Sequence, residues 1–189
     1  IRQGIYDKCC YRGTPAPTVF YNGKVYNNPD ILFVGNSTGV HEYRVELIEW
    51  LKETYGDRFL HVGNAKKGVG TGSDDCRMDA LNKLISTVKI VIGESYPSPH
   101  YWSNRLYETI GRGGFIIHPF VDGIDKEYKD GDHFITYKSG EFKDLYDKIE
   151  YFLKNDIQRI KKADEGMKHT IKNHTLMNRA RQVMEVVNG

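Results

Sequence analysis

The densest chemistry in the chain lies in Ser103-Asn104-Arg105-Leu106-Tyr107-Glu108-Thr109-Ile110-Gly111-Arg112-Gly113-Gly114. Ser103 reads as the N-cap of a helix whose first-turn N–H groups, Asn104 included, would face an anion. Arg105 and Glu108 stand at i,i+3 and share one helix face. A planar guanidinium suits a diphosphate, and a carboxylate one turn further in accepts from two neighbouring ribose hydroxyls. The plain alternative is a helical ion pair. With Arg preceding Glu the orientation is the weaker one, worth at most ~0.2–0.5 kcal/mol, so the pair by itself explains little. Gly111, Gly113 and Gly114 end the helix and turn the chain tightly.

Other candidates are weaker one by one. Gly35-Asn36-Ser37-Thr38-Gly39 follows an apolar run, and its small residues let a ligand approach backbone N–H groups. Taken alone it reads first as a tight strand-to-helix turn. It matches neither GxGxxG nor GxxxxGK[ST], which disfavours dinucleotide binding and P-loop chemistry. Lys66 and Lys67 sit among glycines up to Gly72 and can neutralise phosphates, or form a solvated surface loop. Asp74-Asp75 reads as a turn or cap before it reads as a metal pair. His118 ends an apolar run where a ligand would pass, although a lone histidine is more often structural. No HExxH, Cys/His cluster or GxSxG elbow occurs, so no metal site and no cofactor are expected, and no catalytic residue is assigned.

The elements that must position these residues follow from periodicity. Short apolar runs at Asp30–Asn36, Phe59–Gly63, Lys89–Gly93 and Gly114–His118, with a shorter one at His133–Tyr137, have the length of buried strands. Between them, residues 40–55, Met78–Ile85 and Ser103–Ile110 carry helical spacing, and the loop from Lys66 to Cys76 has room for one more edge strand. Strands alternating with helices predict an α/β fold, a Rossmann-like open parallel sheet with helices on both faces. Three C-terminal helices are expected to bury one stripe each: Phe142, Leu145, Ile149, Phe152 and Leu153; then Ile157, Ile160, Met167 and Ile171; then Leu176, Ala180, Val183 and Val187, capped by Thr175 or Asn173. Residues 1–29 read as a linker or peripheral hairpin outside the core, and 30–189 as the domain.

Composition narrows the class. The 189 residues carry 27 basic and 25 acidic side chains, a net charge of +2, which predicts no nucleic-acid partner. No apolar run approaches the roughly 20 residues of a membrane span. Three cysteines, two of them adjacent, form no disulfide framework, and with no signal peptide a reducing cytoplasmic setting is expected.

The stretch Ser103 to Phe115 resembles the S-x-R-x-(F/Y)-E-x-x-x-x-G-(G)-F segment of GT-B glycosyltransferases, in particular the group-1, CgeB-like (spore-maturation-type) branch. Asp30–Asn36 is similar to the first strand of that group's donor domain, and Gly131–Tyr137 and Asn173-His174-Thr175 match in order across roughly residues 30–187. The resemblance implies one half of a GT-B fold, a domain that binds a UDP-, GDP- or other nucleotide-sugar for transfer to an unknown acceptor without a metal. It implies that Glu108 holds the ribose, that Ser103, Asn104 and Arg105 hold the diphosphate, and that Lys67 lies near base or phosphate. One carboxylate of the group's E-x7-E pattern falls on His100, which departs from the usual donor-sugar contact. Only one Rossmann-like half is visible and the chain starts at Ile1, so a longer protein with an N-terminal acceptor domain is expected. The alternatives are an epimerase or hydrolase of the same architecture, or a non-catalytic nucleotide-binding module.

Overall fold

The computed structural model describes residues 4–6, 10–21, 23–63, 78–96 and 98–189. An antiparallel hairpin, β1 (Thr18–Tyr21) and β2 (Lys24–Asn27), precedes the main sheet. The sheet strands are β3 (Ile31–Val34), β4 (Phe59–Val62), β5 (Ile90–Ile92), β6 (Ile116–Pro119) and β7 (Ile135–Tyr137). Helices α1 (Glu42–Tyr55), α2 (Met78–Thr87) and α3 (Arg105–Gly111) alternate with them, and α4 (Phe142–Lys154), α5 (Asp156–Asn173) and α6 (Leu176–Asn188) follow. All five sheet strands pair in parallel in the order β4-β3-β5-β6-β7, the expected Rossmann-like arrangement.

Strand residues alternate between two cores, which is why the runs are apolar throughout. Leu32, Leu60, Val91 and Ile116 face α2 and α3 through Leu81, Leu84, Leu106 and Ile110. Ile31, Phe33, Ile90, Ile92 and Ile117 face α1 and α4 through Leu47, Leu51, Leu145 and Phe152. The two tryptophans divide the same way. Trp102 is buried in the first core, its indole N–H donating to the Tyr107 hydroxyl at 3.1 Å. Trp50 packs against the second, stacked on Phe142 at 5.0 Å between ring centroids.

Three expectations change. The segment before residue 30 contains the hairpin yet also joins the core, because Ile5 and Tyr21 are buried and Tyr21 bonds both the N–H and the carbonyl of Gly63. The stripe assigned to α5 is reversed. Ile157 is 85% exposed, and Ile160 and Ile171 are also exposed, while Ala163, Gly166 and Thr170 are buried. This face lies too close to its neighbours for bulk, since a Cβ on Gly166 would meet the His133 carbonyl oxygen at 2.5 Å and Ile110 at 2.8 Å. The α6 stripe is likewise uncovered, with Val183 and Val187 exposed and only Arg179 buried along the helix. Thr175 is the α6 cap, in a capping box with Asn178.

Candidate functional site

The chain runs from β3 outward to β4, then crosses back to place β5 on the other side of β3. At such a reversal the loops after the two central strands part, leaving a crevice outside their carboxyl ends. Gly35 follows β3 and Gly93-Glu94-Ser95 follow β5, so this crevice is where candidate residues should gather.

Two glycines make the approach possible. A Cβ on Gly63 would stand 2.0 Å from the Gly35 carbonyl oxygen, and a Cβ on Gly35 would meet the Arg105 guanidinium at 3.0–3.1 Å. Arg105 therefore lies directly against the end of β3. Its guanidinium also stands 5.4 Å from the Phe33 ring centroid, a cation–π contact. Its Nη1 is buried and has no hydrogen-bond partner among the described residues. Burial lowers the Arg105 pKa from its ordinary value and the nearby Arg44 cation lowers it further, against the pull of Glu94 and Glu108. An unpaired cation in a dry place is costly unless something anionic offsets it.

Glu108 lies on the same helix, partly buried, with no hydrogen bond or ion pair to its carboxylate among the described residues. The alternative of an Arg105–Glu108 ion pair is not what the chain forms. Ser103 accepts the Arg105 N–H at 3.3 Å through Oγ, but it is not the expected N-cap: Asn104 holds that position with no side-chain cap bond, and the helix has only seven residues. Asn104 and Asn36 are exposed at the rim. Lys67, with the Gly-rich loop and Asp74-Asp75, lies outside the described residues.

His118 is fully buried and does not reach the crevice surface. Its Nδ1 bonds the Pro119 carbonyl at 2.8 Å and its Nε2 pairs with Ser95 Oγ at 3.1 Å. Ser95 Oγ in turn accepts the Ser103 N–H at 3.2 Å, so the ring props the segment that leads into α3. Burial pulls its pKa down to about 4, which keeps it neutral. A Cβ on Gly93 would lie 2.4 Å from the His118 ring, so glycine is required above it.

Residues not anticipated from the sequence complete the site. Glu94 is fully buried at the end of β5, with Arg44 Nε at 2.5 Å from Oε2 and His41 Nε2 at 2.6 Å from Oε1. No signal in the sequence marks it, since a carboxylate two residues past an apolar strand is ordinarily solvated. Among the described residues no group of three or more His, Cys, Asp or Glu side chains could hold a metal ion, and no helix is long and apolar enough to cross a membrane.

Comparison with known proteins adds to this geometry. A family model described as glycosyl transferase-like matches residues 44–185. No curated protein matches the chain. Among solved structures, sucrose-phosphate synthase from Thermosynechococcus elongatus superposes with a TM-score of 0.68 at 14% identity, over 100% of this chain and 51% of that one. Anabaena Alr3699/HepE in complex with UDP-glucose gives 0.62 at 14% identity, over 84% of this chain and 40% of that one. The C-terminal domain of a group 1 glycosyl transferase (LpcC) from Francisella tularensis gives 0.55 at 10% identity, over 91% of this chain and 99% of that one. The chain thus spans about half the length of the two larger structures and nearly all of the lone domain.

Proposed function

From the premise that the chain belongs to the glycosyl transferase-like family, we propose that it is the donor-binding half of a GT-B glycosyltransferase of the group-1, CgeB-like branch. Its ligand is a nucleotide-sugar with UDP, GDP or another nucleoside diphosphate, and the sugar is a hexose. The acceptor binds on a second domain of the same protein. In the transfer, the bond from the anomeric carbon to the diphosphate breaks with its electron pair leaving on the nucleotide. The acceptor oxygen forms the new bond, and its proton passes to a base supplied with the acceptor. Arg105 stabilises the charge that builds on the departing diphosphate, in place of a metal ion. Glu108 accepts from the ribose hydroxyls.

The observation that carries this reading is Arg105, whose buried Nη1 has no partner among the described residues and whose guanidinium abuts Gly35 at the strand reversal. The similarity to a structure solved with UDP-glucose supports the choice of ligand class. Calorimetry with UDP, GDP, ADP and uridine tests it. We expect a nucleoside diphosphate to bind, Arg105→Ala to weaken it about tenfold or more while leaving uridine unchanged, and EDTA to have no effect. Heat with none of the diphosphates at millimolar concentration, or equal losses for diphosphate and nucleoside, would overturn it.

A further inference from the structure

Glu94 has no role in the reading above, although it is the most completely buried carboxylate beside the crevice. Here Arg44 Nε holds Oε2 and His41 Nε2 stands 2.6 Å from Oε1, so Glu94 is gripped by two side chains at the start of α1. Nδ1 of His41 and Nη1 of Arg105 are buried and have no hydrogen-bond partner among the described residues. Polar groups with bonding capacity left thus lie at the ends of β3 and β5.

Arg44 is the third residue of α1 and only 14% exposed. Its Nε is committed to Glu94, and its two terminal nitrogens make no hydrogen bond among the described residues. It is also close enough to Arg105 to be the leading charge that depresses that group's basicity. Two cations held together in a partly dry crevice repel, and the carboxylates of Glu94 and Glu108 leave Arg105 Nη1 without a hydrogen-bond partner among the described residues. A dianionic group between the guanidinium ends would relieve that repulsion and supply acceptors to the unused N–H groups.

We propose that Glu94 is a positioning residue, fixing Arg44 so that Arg44 and Arg105 grip the diphosphate of the nucleotide from two sides. This rests on the donor-binding reading and adds to it a second cation and the carboxylate that orients it. The proposal fixes a sign that simple charge counting reverses. If Glu94 were only a nearby negative charge, removing it would tighten an anion. If it orients Arg44, removing it frees the guanidinium and weakens the anion.

The test measures UDP, uridine and inorganic pyrophosphate binding to the wild type and to Arg44→Ala, Glu94→Gln, the double variant and Arg105→Ala, with melting temperatures recorded for each. We expect Arg44→Ala to weaken UDP and pyrophosphate about tenfold with uridine unchanged. Glu94→Gln should weaken the same two ligands several-fold, and the double variant should lose no more than Arg44→Ala alone, because the two residues act as a unit. Arg44→Lys should recover little, since an ammonium lacks both the Nε–H and the fork. Tighter UDP binding by Glu94→Gln, additive losses in the double variant, or equal losses for UDP and uridine would each overturn the proposal. Should Glu94→Gln fail to fold, Arg44→Ala decides alone, through the ratio of UDP to uridine affinity. Binding that is lost with Arg105→Ala but intact with Arg44→Ala defeats this proposal and leaves the donor-binding reading standing. Absence of UDP binding by the wild type defeats both.

Discussion

Among the described residues an arginine, a glutamate and a histidine meet in two places, and they are bonded differently in each. Beneath α6, Glu127 receives Arg179 Nη2 at 2.7 Å and His174 Nδ1 at 3.2 Å, and the Tyr107 hydroxyl donates to the same oxygen at 3.3 Å. His174 Nε2 bonds the Glu127 carbonyl at 2.9 Å, so the group is closed on itself. These contacts hold the Glu127 pKa down at about 2. At the strand ends Arg44, Glu94 and His41 meet as closely, yet polar atoms there remain without hydrogen bonds among the described residues. Proximity alone therefore does not separate a cluster closed on itself from one with bonding capacity left. The state of the remaining donors and acceptors does.

The largest effect should come from opening the closed cluster. Glu127→Ala strands a buried arginine and a buried histidine, and should cost about 3–5 kcal/mol of stability in a urea titration. Nucleotide affinity per folded molecule should not change. A variant that loses UDP binding while keeping its stability would erase the distinction between the regions.

Acid should then act on the two regions in turn. His118, beneath the crevice, has a folded pKa of about 4 against an ordinary 6.5. Folding therefore disfavours its proton, so its contribution is complete above pH 6.5 and declines as pH falls toward 4, by up to about 3 kcal/mol. Glu127, with a folded pKa of about 2 against 4.5, keeps its contribution above pH 4.5 and loses it only below. Melting temperatures should fall between pH 6.5 and 4 in the wild type and fall less steeply in His118→Asn. An unchanged slope in that variant would remove His118 from the account.

The smallest effect sharpens the crevice itself. Glu108→Gln should weaken a nucleoside diphosphate about tenfold with no change in stability, and a 2′,3′-dideoxy ligand should be nearly indifferent to it. Equal losses for the two ligands would take Glu108 away from the ribose.

The sheet was legible because its strands are buried on both faces, which leaves an unbroken apolar run that little else in a chain of this size produces. That Arg105 and Glu108 share one helix was legible from their spacing, and their ligand roles stand as proposals. Glu94, His41 and Arg44 were not legible, because nothing in sequence distinguishes a carboxylate that follows a strand into the interior from one that follows it into solvent. The α5 stripe misled for the opposite reason. Periodicity marks where apolar bulk recurs, whereas this helix approaches α3 through Ala163, Gly166 and Thr170, whose lack of bulk is what allows the contact.

The separation of Trp50 and Trp102 into different cores has a practical consequence in optical terms. Trp102 immediately precedes Ser103 and Arg105, and its indole is tied to Tyr107 of α3. Trp50 stacks on Phe142, across the sheet from that helix. Replacing Trp50 with phenylalanine leaves a single emitting indole beside the crevice, so its fluorescence would report ligand arrival at α3. The reverse replacement at Trp102 would leave an emitter that follows only the α1 and α4 side, and the pair of variants would give each face of the sheet its own colour shift and quenching curve.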